Sequence, residues 1–96
     1  MTLEELYNII LSRKEEMPGG SYVASLFCDG EDRMIQKVGE EAVEVVIAAK
    51  NESDDRLISE VADLTFHTLV LLASKGIKLS EILLELEKRH SLRVTK

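Results

Sequence analysis

The chain has few of the residues on which disulfide-linked, zinc-binding or disordered proteins depend. Its 96 residues include one cysteine, one proline, five glycines and no tryptophan. Cys28 has no second cysteine with which to form an intrachain disulfide or a zinc site, so we expect a small, half-buried side chain in a reducing cytoplasm. Since 45% of the residues are hydrophobic and 31% are charged, the composition excludes a disordered chain.

An excess of positive charge is also missing. The formal net charge of −6 argues against nucleic acid and anionic membranes as general partners, because both require a positive protein surface. We find no apolar run near the roughly 20 residues of a membrane span, and the acidic start "MTLEELYN" is unlike a signal or transit peptide. The length predicts one domain, residues 1–96, that buries only about two-thirds of its unfolded surface.

Helical signals dominate what is present, and no pair of strands is predicted. Thr2 and Glu5 have the spacing of a capping box, while the only proline follows Met17 and Gly76 follows a basic last turn. The segment "SYVASLFCDG" (21–30) is predicted to be an ordered loop with a short helical turn. The fold class is therefore all-α, with a central antiparallel helical hairpin and four helices at about 3–16, 31–50, 55–74 and 81–90.

Each of the two long central helices carries one polar stripe among apolar residues. An α-helix turns about 100° per residue, so residues three and four apart share a face. Charged groups cost several kcal/mol each to bury without a partner, so carboxylates in helices that are otherwise apolar are expected to have a partner of opposite charge. The two stripes consist of Lys37, Glu40, Glu41 and Glu44 on the first helix, and of Glu60, Asp63 and His67 on the second.

Folding these helices about a turn centred on Glu52 places the two stripes in register. Residues equally far from the turn stand level in an antiparallel hairpin, so four carboxylates would meet between the helices. The level pairs are Glu44 with Glu60, Glu41 with Asp63, and Lys37 with His67.

Such a cluster would repel itself, and a divalent metal resolves the repulsion. Ligands that offer only oxygen favour Mg²⁺ or Mn²⁺ over zinc. Two alternatives remain open. The first is that the carboxylates simply lie on solvated helix faces, where each of the two acidic motifs is common by itself. The second, a weaker competitor, is a di-iron carboxylate bundle, which needs Glu-x-x-His pairs, whereas His67 follows Asp63 by four residues.

Magnesium held by carboxylates commonly completes its shell with substrate phosphates. No Walker-type glycine loop is present to cradle phosphates, so basic side chains would take that part. Arg33 and Lys37 precede Glu40 on the same helix, although Lys37 can equally form a salt bridge with Glu41. The tail "KRHSLRVTK" supplies four more cations, with a helix-dipole role as the alternative: Lys88, Arg89, Arg93 and Lys96.

The acidic motifs resemble a known family. "GEEAVE" (39–44) followed by "SEVADLTFHTLVLL" (59–72) is similar to the MazG-like nucleotide pyrophosphohydrolases, whose mark is EExxE with a later ExxD. The closer resemblance is to the phosphoribosyl-ATP pyrophosphatase family, carried by "SYVASLF", "DRMIQKVGEEAVEVVIAAK" and "VADLTFHTLVLLASKGI". Phe66 stands where that family's pattern leads us to expect tyrosine, a departure that leaves the carboxylates untouched.

This resemblance implies Mg²⁺-dependent hydrolysis of the α–β phosphoanhydride of phosphoribosyl-ATP, in the second step of histidine biosynthesis. It also implies a helical homodimer, which the apolar residues on several sides of the third helix favour independently. Two hairpins packed together would form a core like a four-helix bundle. The alternatives are a house-cleaning nucleoside triphosphate pyrophosphohydrolase and a non-catalytic helical dimerisation module.

The candidate site residues follow from the stripes and the resemblance together. We predict metal ligation by Glu41, Glu44, Glu60 and Asp63, with Glu40 as a further ligand or as the base that orients the attacking water. His67 is predicted to support a ligand, since a buried histidine is more often hydrogen-bonded than catalytic. The predicted substrate contacts, of which the first two rest mainly on the resemblance, are Ser21, Tyr22, Arg33, Lys37 and Arg89.

Overall fold

The structure is a computed structural model that describes the backbone of residues 1–94 and the side chains of residues 1–90. Within that part of the chain every regular element is a helix, which confirms the all-α class. The predicted count of four is wrong, because residues 21–30 contain a further helix. The five helices are α1 (Leu3–Glu16), α2 (Tyr22–Asp29), α3 (Glu31–Asn51), α4 (Asp54–Lys75) and α5 (Leu79–Val94).

Capping side chains and one glycine set the helix ends that position the hairpin. The Thr2 hydroxyl accepts a hydrogen bond from the Glu5 N–H (3.0 Å), and the Ser53 hydroxyl accepts one from the Arg56 N–H (3.3 Å). Gly76 has φ +71° and donates its N–H to the carbonyls of the last turn of α4, a conformation that glycine adopts without strain. These ends agree with the sequence prediction.

The short helix α2 escaped the sequence analysis because eight residues are too few for a clear helical period. Ser21 caps it by accepting the Ala24 N–H (3.2 Å), and Gly30, with φ +101°, separates it from α3. The helix forms because it buries Ala24 and Leu26 against its neighbours. Cys28 on this helix is exposed, so the expectation that it is half-buried is wrong.

The core lies at the end of the α3–α4 hairpin that is remote from its turn. There α1 and α2 pack on the hairpin, and among the described residues the buried cluster consists of Tyr7, Ile10, Leu26, Met34, Leu69, Val70, Ala73 and Leu79. In the half nearer the turn, Ala48 is the one buried apolar residue among those described. The carboxylate stripes therefore lie beside the core and not within it.

By length and composition alone, α4 could cross a membrane. It has 22 residues and an 18-residue window with a mean hydropathy of 1.4, although Glu60, Asp63 and His67 interrupt its apolar residues. This is weak support for a membrane span, because the core helix of a soluble protein passes the same test. Here α4 packs along α3 and carries a buried glutamate, Glu60, which is expensive to place in lipid.

Candidate metal centre

Three carboxylates from the two central helices converge near the middle of the hairpin. Glu41 on α3 and Glu60 and Asp63 on α4 each offer one oxygen atom, and these three atoms lie within 4.8 Å of one another. Only 9% of Glu41 and 6% of Glu60 is exposed, whereas Asp63 opens to solvent. The structure thus brings together the level pair Glu41 and Asp63. Glu41 and Glu60 form the buried part of the group, and a ligand can enter from the solvent-exposed side at Asp63.

The two remaining acidic candidates lie outside this group. Glu44 is exposed and contributes no atom to the three-oxygen cluster, but its negative charge is close enough to raise the pKa of Glu60. Glu40 is also exposed, and its carboxylate pairs with Arg33 at 3.5 Å. The predicted roles of Glu40 and Glu44 stay predictions.

The electrostatics of Glu60 favour a bound cation. Removal from water raises the pKa of its carboxyl group, and the charges of Asp63, Glu41 and Glu44 raise it further, outweighing the opposing effect of Arg56. A divalent ion would offset both the lost hydration and the mutual repulsion. Oxygen is the only donor type in the group, and within the described side chains no histidine or cysteine joins it. This donor set fits a hard ion such as Mg²⁺.

Each of the two most buried carboxylates has a cationic partner on its own helix. Lys37 Nζ lies 3.2 Å from Glu41 Oε1, and this contact raises the pKa of Lys37. Arg56 lies 2.5 Å from Glu60 Oε1 and 3.1 Å from Glu52 Oε2. The salt bridge left open for Lys37 is therefore formed. Sequence reasoning missed Arg56, although it precedes Glu60 by the same four residues that separate Lys37 from Glu41.

His67 links this centre to α2. Its Nδ1 lies 2.8 Å from the backbone oxygen of Asp63, and its Nε2 lies 3.1 Å from the Tyr22 hydroxyl. The carbonyl can only accept, so Nδ1 donates to it, and in the neutral imidazole Nε2 then accepts from the Tyr22 hydroxyl. The Tyr22 ring also stacks on Phe66, with centroids 6.1 Å apart. Both nitrogens of His67 are thus used in supporting α4 and Tyr22, and among the described side chains His67 does not join the carboxylate cluster.

The other predicted substrate contacts lie elsewhere or have other partners. The Ser21 hydroxyl is used in capping α2. Arg89 donates to Glu85 on its own helix at 3.2 Å, and not to any member of the cluster. The side chains of Arg93 and Lys96 lie outside the described residues.

Comparison with known sequences explains why these groups occur together. Residues 3–90 match the sequence profile described as "PRA-PH: Phosphoribosyl-ATP pyrophosphohydrolase", a match that covers most of the chain and every residue of the cluster. The chain belongs to the phosphoribosyl-ATP pyrophosphohydrolase family. The family resemblance found in the sequence is therefore confirmed.

Individual relatives in this family are similar to almost the whole length of this chain. A "Phosphoribosyl-ATP pyrophosphatase" of Leptospira biflexa is 56% identical over 89 residues, 93% of this chain and 97% of the relative. One of Metallosphaera sedula is 55% identical over 87 residues, 91% and 94% of the two chains. A "Histidine biosynthesis bifunctional protein" of Bacteroides thetaiotaomicron is 53% identical over 91 residues, 95% of this chain but 45% of the relative. The family domain thus occurs both by itself and as part of a longer protein.

Proposed function

We propose that this chain hydrolyses the α–β phosphoanhydride bond of phosphoribosyl-ATP, giving phosphoribosyl-AMP and pyrophosphate in histidine biosynthesis. Membership of the phosphoribosyl-ATP pyrophosphohydrolase family supports the substrate. One structural observation carries the site: three carboxylate oxygens of Glu41, Glu60 and Asp63 lie within 4.8 Å of one another. The whole reaction centre is assigned to a single domain, residues 1–96.

Within this proposal, Glu41, Glu60 and Asp63 hold Mg²⁺, with Mn²⁺ as an alternative, and Glu44 approaches as the fourth ligand. When bound, such an ion polarises phosphoryl oxygens and lowers the pKa of a coordinated water. Glu40 is exposed, lies one residue before Glu41 and serves as a further ligand or as the base that orients the water. The exposure of Asp63 and Glu44 supports entry of the nucleotide from that side.

Basic and aromatic groups beside the cluster supply the substrate contacts. Lys37 and Arg33 lie next to the carboxylates on α3 and neutralise phosphate charge. Tyr22, half exposed at 51% and anchored to His67, closes over the nucleotide from the start of α2. Ser21 and Arg89 are weaker candidates for substrate contacts, because each side chain already forms a local hydrogen bond.

The first experiment measures pyrophosphate release with Mg²⁺ across phosphoribosyl-ATP and a panel of ordinary and modified nucleoside triphosphates. We expect selective cleavage of phosphoribosyl-ATP. Broad cleavage of the panel would instead indicate a house-cleaning pyrophosphohydrolase with the same carboxylates. If the correctly folded protein released pyrophosphate from none of the compounds, the result would contradict enzymatic function and favour a helical dimerisation module.

We also propose that the chain forms a homodimer with a core like a four-helix bundle. Exposed large apolar side chains occur on the hairpin and on α5, and Gly39 has no atom within 4 Å of the position of an added Cβ, so a second helix could approach there closely. Contiguous exposed apolar patches of more than a few hundred Å² usually mark an interface. The exposed residues are Ile35, Val43, Val46 and Ile47 on α3, Ile58 and Val61 on α4, and Ile82, Leu83, Leu84 and Leu86 on α5.

Oligomeric state is tested by light scattering on the purified protein, for which we expect twice the mass of one chain. Val46→Glu places a charge on the most exposed apolar position of α3 (59% exposed) and should shift the protein to monomer. Ile9→Glu is the matched control on α1 (41% exposed) and should remain a dimer. A monomeric wild type would refute the dimer, and an unaffected Val46→Glu would exclude this face of α3.

A further inference from the structure

The cations at the centre are arranged alike on the two helices. Lys37 precedes Glu41 and Arg56 precedes Glu60, in each case by four residues, and each cation contacts the carboxylate that it precedes. The carboxylates are the buried partners, with side chains 12% and 8% exposed, while Lys37 is 18% and Arg56 is 53% exposed. The cationic ends thus approach the cluster from its outside.

The charges indicate what these pairs do before a metal arrives. Glu41, Glu60 and Asp63 together bring three negative charges into a small volume. Two monovalent cations neutralise two of them, and one divalent ion carries the same charge in a single atom that all three oxygens can contact. Because the divalent ion takes the place of the cation beside each buried carboxylate, the exchange leaves neither Glu41 nor Glu60 without a counter-charge.

The backbone positions of Lys37 and Arg56 lie at opposite ends of the cluster, although their charged groups both reach it. In the antiparallel register about Glu52, Lys37 is level with His67 and Arg56 is level with Ala48. Eleven residues separate these two levels, about 16 Å along the helix axis at 1.5 Å per residue. Long, flexible Lys and Arg stems can turn from either end toward a ligand in the middle. A chain of linked phosphates over the cluster would lie between them.

We propose that Lys37 and Arg56 are exchangeable counter-ions, which give up Glu41 and Glu60 to a divalent metal and then bind the nucleotide's phosphate oxygens at the two ends of the cluster. This inference rests on the proposed function and adds to it a phosphate-binding residue, Arg56. It also gives an order of events, because both side chains become available for phosphate only when the metal has replaced them.

The test compares Lys37→Gln and Arg56→Gln with the wild-type protein. Isothermal titration with Mg²⁺, without nucleotide, should show each variant binding the ion about three- to tenfold more tightly, since a competing cation has been removed. Looser binding in these variants would mean that the cations only hold the carboxylates in place, and would overturn the proposal. A wild type that binds no Mg²⁺ would refute the metal centre itself, a separate outcome.

Steady-state kinetics at saturating Mg²⁺ test whether the displaced Lys37 and Arg56 side chains bind the nucleotide's phosphates. Both variants should raise KM for phosphoribosyl-ATP about tenfold, with a smaller change in kcat, as expected when ground-state phosphate contacts are lost. Tighter metal binding with an unchanged KM would show that the displaced side chains do not reach phosphate, which would contradict the proposal.

Two further variants separate a local exchange from a general charge effect. Lys75→Gln removes the same charge from an ion pair that joins α4 to Glu31 of α3, at 2.7 Å. Lys75 lies twelve residues beyond Asp63 and therefore about 18 Å along α4. This substitution should change Mg²⁺ affinity less than twofold. Arg56→Lys restores a monovalent cation and should return Mg²⁺ affinity close to that of the wild type. If Lys75→Gln gained as much Mg²⁺ affinity as the other two Gln variants, the gain would be an effect of net charge, and the exchange would be refuted.

Discussion

Glu60→Gln is expected to lower the rate of pyrophosphate release about a thousandfold or more. Among the cluster carboxylates, Glu60 is the most buried and lies within 4.8 Å of both neighbouring oxygens. The amide preserves the shape of the side chain but removes the negative charge that a hard cation requires. A metal ion provides several kcal/mol of transition-state stabilisation, and each 1.36 kcal/mol corresponds to about a factor of ten in rate.

Glu52→Gln is the matched control for this variant. Glu52 also pairs with Arg56, at 3.1 Å, but it lies at the turn and contributes no oxygen to the cluster. Its replacement should leave the rate within about threefold of the wild type, in line with an exposed ion pair. If Glu60→Gln retained more than about a tenth of the wild-type rate, Glu60 would not be a metal ligand.

Glu60→Gln should also change how the stability of the fold depends on pH. Burial raises the pKa of Glu60 above its ordinary value of 4.5, so the native state binds this proton more readily than the unfolded state does. The stability associated with the protonated group is therefore present at low pH and is lost as pH rises through the raised native pKa. In EDTA at neutral pH, Glu60→Gln should unfold at a higher temperature than the wild type.

Thermal unfolding from about pH 8 to about pH 5 checks this sign. The advantage of Glu60→Gln should shrink as pH falls, because the wild-type carboxyl group becomes neutral as well. A difference that is constant with pH, or that favours the wild type at neutral pH without metal, would show that Glu60 is not under electrostatic strain in the metal-free protein.

Removal of divalent metal should abolish activity, and Mg²⁺ should restore it. The same ion should stabilise the fold, since a ligand that binds only the native state contributes about 2.7 kcal/mol when present at 100 times its Kd. In a domain of this size, 1 kcal/mol shifts the unfolding midpoint by about 4–8 °C. We therefore expect Mg²⁺ to raise the midpoint by roughly 10–20 °C.

Variants of the chain show whether that shift originates at the proposed centre. Lys75→Gln, remote from the cluster, should show the full Mg²⁺-dependent rise in midpoint, whereas Glu60→Gln should show almost none. Activity that persists after exhaustive chelation would refute a metal-dependent reaction. An equal rise in both variants would place the stabilising ion elsewhere on the protein.

The cluster could be foreseen because an antiparallel hairpin with a short turn leaves little choice of register. Once Glu52 marks the turn, Glu41 must stand level with Asp63, and the structure places one oxygen of each in the same group. The same arithmetic predicts that Glu44 stands level with Glu60, and its role as a fourth ligand stays a prediction. Being level with Glu60 does not fix the direction in which a side chain points, and Glu44 faces solvent.

Other features depended on contacts between distant parts of the sequence. The bond between Tyr22 and His67 joins residues 45 positions apart, and no local pattern encodes it. Helix α2 carries a weak local signal and forms where it can bury Leu26 in the common core. Arg56 had a legible spacing to Glu60, but arginines near acidic residues are common on solvated helices, so the spacing gained meaning only when Glu60 proved to be buried.

The all-α class, the ends of the long helices, the register of the hairpin and the family can all be derived from the sequence. Each of these follows from short-range rules of capping, periodicity and motif spacing, which hold wherever the helices pack. The packing of the helices was needed to learn which carboxylates lie together, which cations neutralise them and which side is open to solvent. Those properties depend on side-chain direction and burial, and both are set by neighbouring elements that lie far away in the chain.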